Sequence, residues 1–370
     1  MSKKQIVCLI NSLEGGGAER FVVTLLNTLV DSCECYLILL EYKITYEIDD
    51  RVKIITLGSN LQNQSGFTKL ISLPKLAYKL SKIMKENNFT QLISFLYRSN
   101  YINILAKIFS KHRSIISERI APSSMYSDNS LNSKVSKFLI KNLYNRADLI
   151  LPVSFAIQKD LENNFSINIE QKIIYNGYDI DHIDNKAKEN IDIDIDKNNS
   201  IISVGSLNKR KNHELLIRAL VALNTKIKLY ILGVGEEYGN LKELVIDLNL
   251  ENRVFFLGFD NNPYKYLSKC SIFVLVSNSE GFPNVLVEAM LCNCAVISTD
   301  CLSGPREILS DAKYGILIPT NDKNKLVEAL NKLLDNKKQK YEYQKLARTR
   351  AEEFKISLVT NIYKEVLCVV

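Results

Sequence analysis

Two carboxylates raise the first chemical question. In SNSEGFPNVLVEAM (277–290), Glu280 and Glu288 are separated by seven residues that include Gly281, Pro283 and Asn284. Pro283 suits a first helical turn, where its missing N–H would have gone unpaired. The stretch Gly281, Phe282, Pro283, Asn284 and Val285 would then form a helix start, an end that favours anions. Carboxylates repel phosphate but accept hydrogen bonds from paired hydroxyls. Acids beside an anion seat therefore ask for a ligand carrying both groups. Two acids that merely complement a helix dipole are the plainer alternative.

A second stretch supplies cations. SVGSLNKRKNH (203–213) ends a strand with Gly205 and Ser206, then places Lys209, Arg210 and Lys211 before a helix. Adjacent cations at a sheet's carboxyl edge can neutralise a diphosphate, although a solvated basic turn would read the same way. A third, GGGAER (15–20), lets a ligand approach the backbone at Gly16 and Gly17 immediately before a helix; a tight turn alone also needs glycine. A nucleotide sugar answers all three. Glu288 would hold the ribose and Glu280 the transferred sugar. Lys211, Arg210 and the helix start would hold the diphosphate.

Two stretches imitate other chemistry. LGVGEEYG (232–239) resembles a nicotinamide-dinucleotide fingerprint but opens the second βα unit of its series, not the first. DIDID (192–196) resembles a metal-binding D-x-D but sits in a polar segment, away from any strand end that could align its carboxylates.

The positioning elements follow from periodicity. Apolar runs at 5–10, 35–42, 52–57, 91–96, 113–118 and 149–154 alternate with helical patterns, including one near 72–86. A second series runs through 200–205, 229–235, 254–259, 272–277 and 295–300. Fully apolar strands alternating with helices imply parallel sheets covered on both faces. The expected fold class is α/β: two Rossmann-like, doubly wound domains with a cleft between them. The expected domains are 1–178 and 200–352, joined by an acidic linker at 179–199. A terminal helix at 353–370 is expected to return to the first domain.

The 370 residues contain 46% hydrophobic and 24% charged side chains, an ordinary globular balance. Eight cysteines with three histidines show no zinc spacing, and unpaired cysteines suit a reducing compartment. No apolar run is long enough for a signal core or a membrane span, which points to the cytoplasm. Net charge is +7, and residues 51–146 hold 16 basic against 3 acidic side chains. The imbalance implies an anionic surface or acceptor on the first domain. Nucleic acid is not expected, since no reader motif accompanies the charge.

In order, GGGAER, YNGYD (175–179), SVGSLNKRKNH, LGVGEE, FFLGF, EGFPNVLVEA and GPRE (304–307) resemble glycosyltransferase family 4 across essentially the whole chain. The resemblance implies the GT-B fold, retention of anomeric configuration, and no metal or other cofactor. KFLIKNLYNRADLILPVS (137–154), NHELLIRAL (212–220) and LGFDNNPYKYLSKC (257–270) look most like N-acetylgalactosamine transferases of the PglJ type. That likeness implies transfer from UDP-GalNAc to a polyprenyl-diphosphate-linked, GalNAc-containing acceptor, through an α-1,4 bond, in protein N-glycan assembly. The alternatives are another family 4 transferase of lipopolysaccharide or capsule synthesis, or a UDP-sugar epimerase. Two departures from the family pattern stand out. Where many relatives have Ser-Glu-His, this chain has Ser117, Glu118 and Arg119, and arginine cannot act as a base. Ser206 replaces a frequent arginine, whose charge Lys209 or Arg210 would supply. By resemblance, the expected catalytic set is Lys211, Glu280, Glu118 and Arg119.

Two basic segments are expected to meet the acceptor diphosphate or an anionic membrane surface. In 72–87, Ser72 can cap a helix, with Lys75, Lys79 and Lys82 on one face and the apolar face turned to the core. In 133–146, Lys134, Lys137 and Lys141 interleave with apolar residues. The protein is thus expected at the inner face of the cell membrane, peripherally bound.

Overall fold

The computed structural model describes residues 3–58 and 66–367; Cys368 lies outside them. The chain divides into two compact units. Unit 1 is Met1–Tyr178 together with Ile356–Val370, and unit 2 is Asp179–Lys355.

Unit 1 opens with β1 (Gln5–Ile10), α1 (Gly17–Leu29), β2 (Glu34–Leu39), β3 (Lys53–Thr56), α2 (Gly66–Ile71) and α3 (Leu73–Glu86). It continues with β4 (Gln91–Phe95), α4 (Tyr97–Ser110), β5 (Arg113–Glu118), α5 (Pro122–Met125), α6 (Leu131–Leu143), β6 (Leu149–Pro152) and α7 (Phe155–Phe165). The sheet is parallel, in the order β3-β2-β1-β4-β5-β6. Strands covered on both faces carry no polar alternation, which is why QIVCLI reads as one apolar run. The apolar face of α3, from Leu73 through Leu76, Ala77 and Leu80 to Met84, is buried. Ser72 does not cap this helix as expected. It lies in a helical conformation after α2, and its hydroxyl oxygen accepts from Arg98 Nη2 at 3.4 Å instead.

Unit 2 begins with α8 (Ile180–Lys186), β7 (Ser200–Val204), α9 (His213–Leu220), β8 (Lys228–Leu232), α10 (Tyr238–Asp247) and β9 (Val254–Gly258). Then come α11 (Tyr264–Leu267), β10 (Ile272–Leu275), α12 (Asn284–Leu291), β11 (Ala295–Thr299), α13 (Pro305–Ile308) and β12 (Ile316–Ile318). Two helices, α14 (Lys323–Asp335) and α15 (Lys337–Glu352), complete it. Its parallel sheet runs β12-β11-β10-β7-β8-β9. The stretch read as a linker is not merely one: it contains α8, whose Asp184 takes both terminal nitrogens of Arg348 on α15, at 2.7 and 2.8 Å.

The last helix, α16 (Ile356–Leu367), belongs to unit 1. It lies against α1, with the Tyr363 and Phe21 rings 5.8 Å apart. The seven described cysteines are all buried and unpaired. Among the described residues, no helix is long and apolar enough to cross a membrane.

Candidate active site

In unit 2 the relevant side chains gather where β7 and β10 release the chain. Asn208 closes the β7 turn, its backbone and side-chain oxygens both accepting from the Lys211 N–H, at 3.1 and 3.0 Å. Lys211 then runs back across Gly205, where an added Cβ would come within 3.3 Å of Lys211 Cε. Its ammonium ends 2.6 Å from Glu280 Oε1. Arg210 Nη1 donates to Glu280 Oε2 at 3.2 Å and to the Ser279 carbonyl at 2.9 Å. The Ser277 hydroxyl adds a 2.6 Å bond to Oε1. Burial acts to raise the Glu280 pKa, but Lys211 and Arg210 outweigh it, and the carboxyl is held below its ordinary range.

The expected division, Lys211 on phosphate and Glu280 on sugar, therefore meets a direct pair between the two. Lys211 is 12% and Glu280 7% exposed at the side chain, so neither charge is fully hydrated. Charge is not balanced locally: Arg210 and Lys211 face one carboxylate, and Lys209 and Arg210 are exposed. Ser206 is also exposed.

The loop after Glu280 is fixed by its neighbours. Phe282 packs edge-on against Phe354 at 5.6 Å. Ser303 donates through its hydroxyl to the Glu280 carbonyl. Gly304 has φ of +87°, and an added Cβ would meet Pro283 Cδ at 2.5 Å and the Gly281 oxygen at 2.7 Å. Pro283 is the cap residue of α12, one place before the helical turn expected for it. Asn284 and Val285 are half-buried at the start of α12, and Glu288 is buried one turn further on.

The dinucleotide-like glycines have a packing role. Added Cβ atoms at Gly233 and Gly235 would collide with the carbonyl oxygens of Gly205 and Leu207, so these glycines let two βα turns stack. In DIDID, Asp196 caps a single 3₁₀ turn by accepting from the Asn198 N–H.

In unit 1, Gly16 is the cap residue of α1 and Gly17 its exposed first residue. Glu19 folds back over Gly16, close enough to obstruct an added Cβ, and burial raises its pKa. Glu118 ends β5 and is 1% exposed. Its Oε2 accepts from the Tyr144 hydroxyl at 2.7 Å and its Oε1 from the Arg119 N–H at 3.0 Å. Burial lifts its pKa to about 7 despite these bonds. Behind Tyr144 lies a continuous polar chain. Asn100 Nδ2 donates to the Tyr144 oxygen, and Asn100 Oδ1 accepts from Ser94. Ser94 accepts from Asn103, whose own oxygen meets His112 Nε2 at 2.8 Å. His112 itself is pushed down to about 4 by burial. Arg119 is also buried: its guanidinium lies 4.4 Å over the Phe21 ring and donates to Asn176. Burial lowers its pKa. Neither Tyr144, Ser277 nor Ser303 was singled out from sequence. Ser277 stands in the same SNSEG stretch as Glu280, whereas Tyr144 carries no local signal.

Of the basic set, Lys75, Lys79, Lys82, Lys134 and Lys141 are exposed and Lys137 half-buried, all on α3 or α6. Lys79 Nζ donates to the Leu57 carbonyl at 3.3 Å.

Two doubly wound units with this site at the strand ends of the second define the GT-B class. Residues 15–182 match the family described as Glycosyltransferase Family 4, and residues 185–350 match Glycosyl transferases group 1. The chain belongs to glycosyltransferase family 4.

It is 43% identical over 361 residues to N-acetylgalactosamine-N,N'-diacetylbacillosaminyl-diphospho-undecaprenol 4-alpha-N-acetylgalactosaminyltransferase of Campylobacter jejuni, spanning 97% of this chain and 98% of that one. It is 28% identical, over 95% of each chain, to the same organism's GalNAc-alpha-(1->4)-GalNAc-alpha-(1->3)-diNAcBac-PP-undecaprenol alpha-1,4-N-acetyl-D-galactosaminyltransferase. The crystal structure of Anabaena HepE in complex with UDP superposes with a TM-score of 0.80 at 20% identity, covering 99% of this chain and all of that one.

Proposed function

We propose that this glycosyltransferase moves N-acetylgalactosamine from UDP-GalNAc to a GalNAc-containing saccharide on a polyprenyl diphosphate, with retention and through an α-1,4 bond. The end-to-end likeness to the first Campylobacter enzyme supports this donor and acceptor. The observation that carries the transfer chemistry is the Lys211–Glu280–Arg210 cluster at the β7 and β10 ends. A sugar C1–O bond to UDP breaks as an acceptor oxygen bonds to C1 on the same face. The departing diphosphate takes the acceptor proton. Lys211, Arg210 and the N–H groups at the start of α12 meet the developing charge without a metal ion. Glu280 would exchange part of its hold on Lys211 for hydroxyls of the donor sugar, and Glu288 would hold the ribose. The reaction belongs to protein N-glycan assembly on the cytoplasmic face of the membrane, where the protein is peripherally bound and Lys75, Lys79 and Lys82 attract the acceptor diphosphate.

The test offers UDP-GalNAc, UDP-GlcNAc and UDP-glucose with a short-chain lipid-diphosphate disaccharide ending in GalNAc. One added GalNAc, in α-1,4 linkage by mass and glycosidase digestion, is the expected product. Preferred transfer of another sugar, or release of an isomerised UDP-sugar without acceptor, would overturn the reading.

A further inference from the structure

Topology gathers most of a basic block of sequence onto one side of a sheet. In unit 1 the chain runs β1, β2, β3 toward one sheet edge, then β4, β5, β6 toward the other. Right-handed crossovers taken in opposite directions place their helices on opposite faces of a parallel sheet. Hence α1, joined by α16, covers one face. Helices α3, α4 and α6 cover the other, with α3 against α4 and α4 against α6. The helices of this second layer lie within residues 51–146, which hold 16 basic and 3 acidic side chains; Arg113 and Arg119 of that stretch instead meet the first face, at the Val366 carbonyl and the Phe21 ring. One of the three acids, Glu118, is buried in the sheet.

The outward side of the layer is not simply basic. Tyr78 on α3 is 51% exposed, Phe109 on α4 48% and Phe138 on α6 65%. The Tyr78 and Phe109 rings meet edge to face at 5.9 Å, and Lys82 Nζ lies 4.9 Å over the Tyr78 ring. Beside Phe138, a cavity of about 340 Å³ opens between α5, α6 and α7, lined by Ser123, Lys137, Phe138, Lys141, Asn164 and Phe165. The buried Asp160 lies behind it, one oxygen accepting from the Ser123 N–H and the other from the Asn164 amide. Lysines alone would be an ordinary hydrated surface. Exposed aromatics flanked by lysine ammoniums match a bilayer interface, where rings enter the headgroup level and ammoniums meet lipid phosphates.

We propose that the α3–α4–α6 face docks on an anionic phospholipid bilayer. Tyr78, Phe109 and Phe138 enter the headgroup region, and the cavity between Lys137 and Lys141 seats one lipid headgroup. This deepens the membrane part of the reading above, yet it requires no acceptor and no sugar transfer.

The chain contains no tryptophan, so Phe138→Trp and Tyr78→Trp each install a single fluorescent reporter in the full-length protein. Tyr341→Trp, at an exposed position on α15, serves as the control. With vesicles of equal parts phosphatidylglycerol and phosphatidylcholine, both reporters should shift to the blue and be quenched by brominated acyl chains, while the control stays unchanged. Pure phosphatidylcholine should give no shift. Combining Lys134→Glu, Lys137→Glu and Lys141→Glu in the Phe138→Trp protein should weaken vesicle binding at least tenfold, with far-UV circular dichroism unchanged. Reporters that remain water-exposed on anionic vesicles, equal binding to neutral vesicles, or an equal shift at position 341 would overturn the proposal. Vesicle binding by a protein that transfers no GalNAc would leave this surface standing and sink the transfer reading. Full transfer without vesicle binding would do the reverse.

Discussion

Lys211 Nζ lies 2.6 Å from Glu280 Oε1, with both side chains largely shielded from water. A diphosphate approaching Lys211 therefore meets a cation already engaged, and it must share or displace that contact. Arg210 grips the other carboxylate oxygen from a more exposed position, so it would still compensate Glu280 if Lys211 turned to phosphate as proposed.

Replacing Lys211 with alanine is expected to lower kcat by on the order of 100-fold, as loss of one charge-stabilising donor does. The Kd for UDP should rise less than kcat falls, because the charge on oxygen grows toward the transition state. Stopped-assay kinetics beside calorimetric UDP binding would check this, and an unchanged kcat would remove Lys211 from the chemistry.

Glu280→Gln separates sugar recognition from phosphate recognition. It removes the one carboxylate in the cluster, so UDP should bind no more weakly than to the parent. Turnover of UDP-GalNAc should fall by about two orders of magnitude if the carboxylate grips sugar hydroxyls. Parallel losses of UDP binding and turnover would contradict that assignment.

Gly304→Ala tests the loop. The residue combines φ of +87° with contacts below 3 Å to Pro283 Cδ and the Gly281 oxygen. Strain of this kind costs about 1–3 kcal/mol. Thermal unfolding should show the loss, and the donor KM should rise because the displaced atoms border the start of α12.

Glu118 gives a stability signature with a definite sign. Its folded pKa of about 7 exceeds the reference of 4.5 because burial penalises the charge. Between those values the folded chain holds a proton that the unfolded chain has released, so stability falls as pH rises. At about 1.4 kcal/mol per unit the window amounts to roughly 3 kcal/mol at most. The difference in Tm between the parent and Glu118→Gln should therefore change across pH 4.5 to 7, with the parent losing ground. A pH-independent difference would show that Glu118 titrates normally.

Much of the architecture was readable because parallel strands buried on both faces declare themselves as apolar runs. The six expected strands of unit 1 and five of those in unit 2 lie where QIVCLI and its counterparts predict, with ends shifted by up to three residues. Strand β12, only ILI, is too short to stand out from its surroundings. Helix α8 was hidden because its seven residues are mostly polar and only Ile180 and Ile183 are buried. The loop from Ser277 to Glu288 could be found from its residue types. Its internal pairing could not, since Lys211 and Glu280 are 69 positions apart and meet only through adjacent strands β7 and β10. Likewise Ser72 reads as a cap by type, yet α2 arrives on its N-terminal side and leaves the backbone already helical.

The return of α16 to unit 1 has a consequence for biosynthesis. Tyr363, Val359 and Val366 join Phe21 and Val22 in that unit's core, while unit 2 is one uninterrupted stretch, Asp179–Lys355. On the ribosome the residues that complete the first unit's core therefore emerge after all those of the second. A released chain ending at residue 355 should resist protease in its later half and be cut readily in its earlier half, until the final helix is supplied.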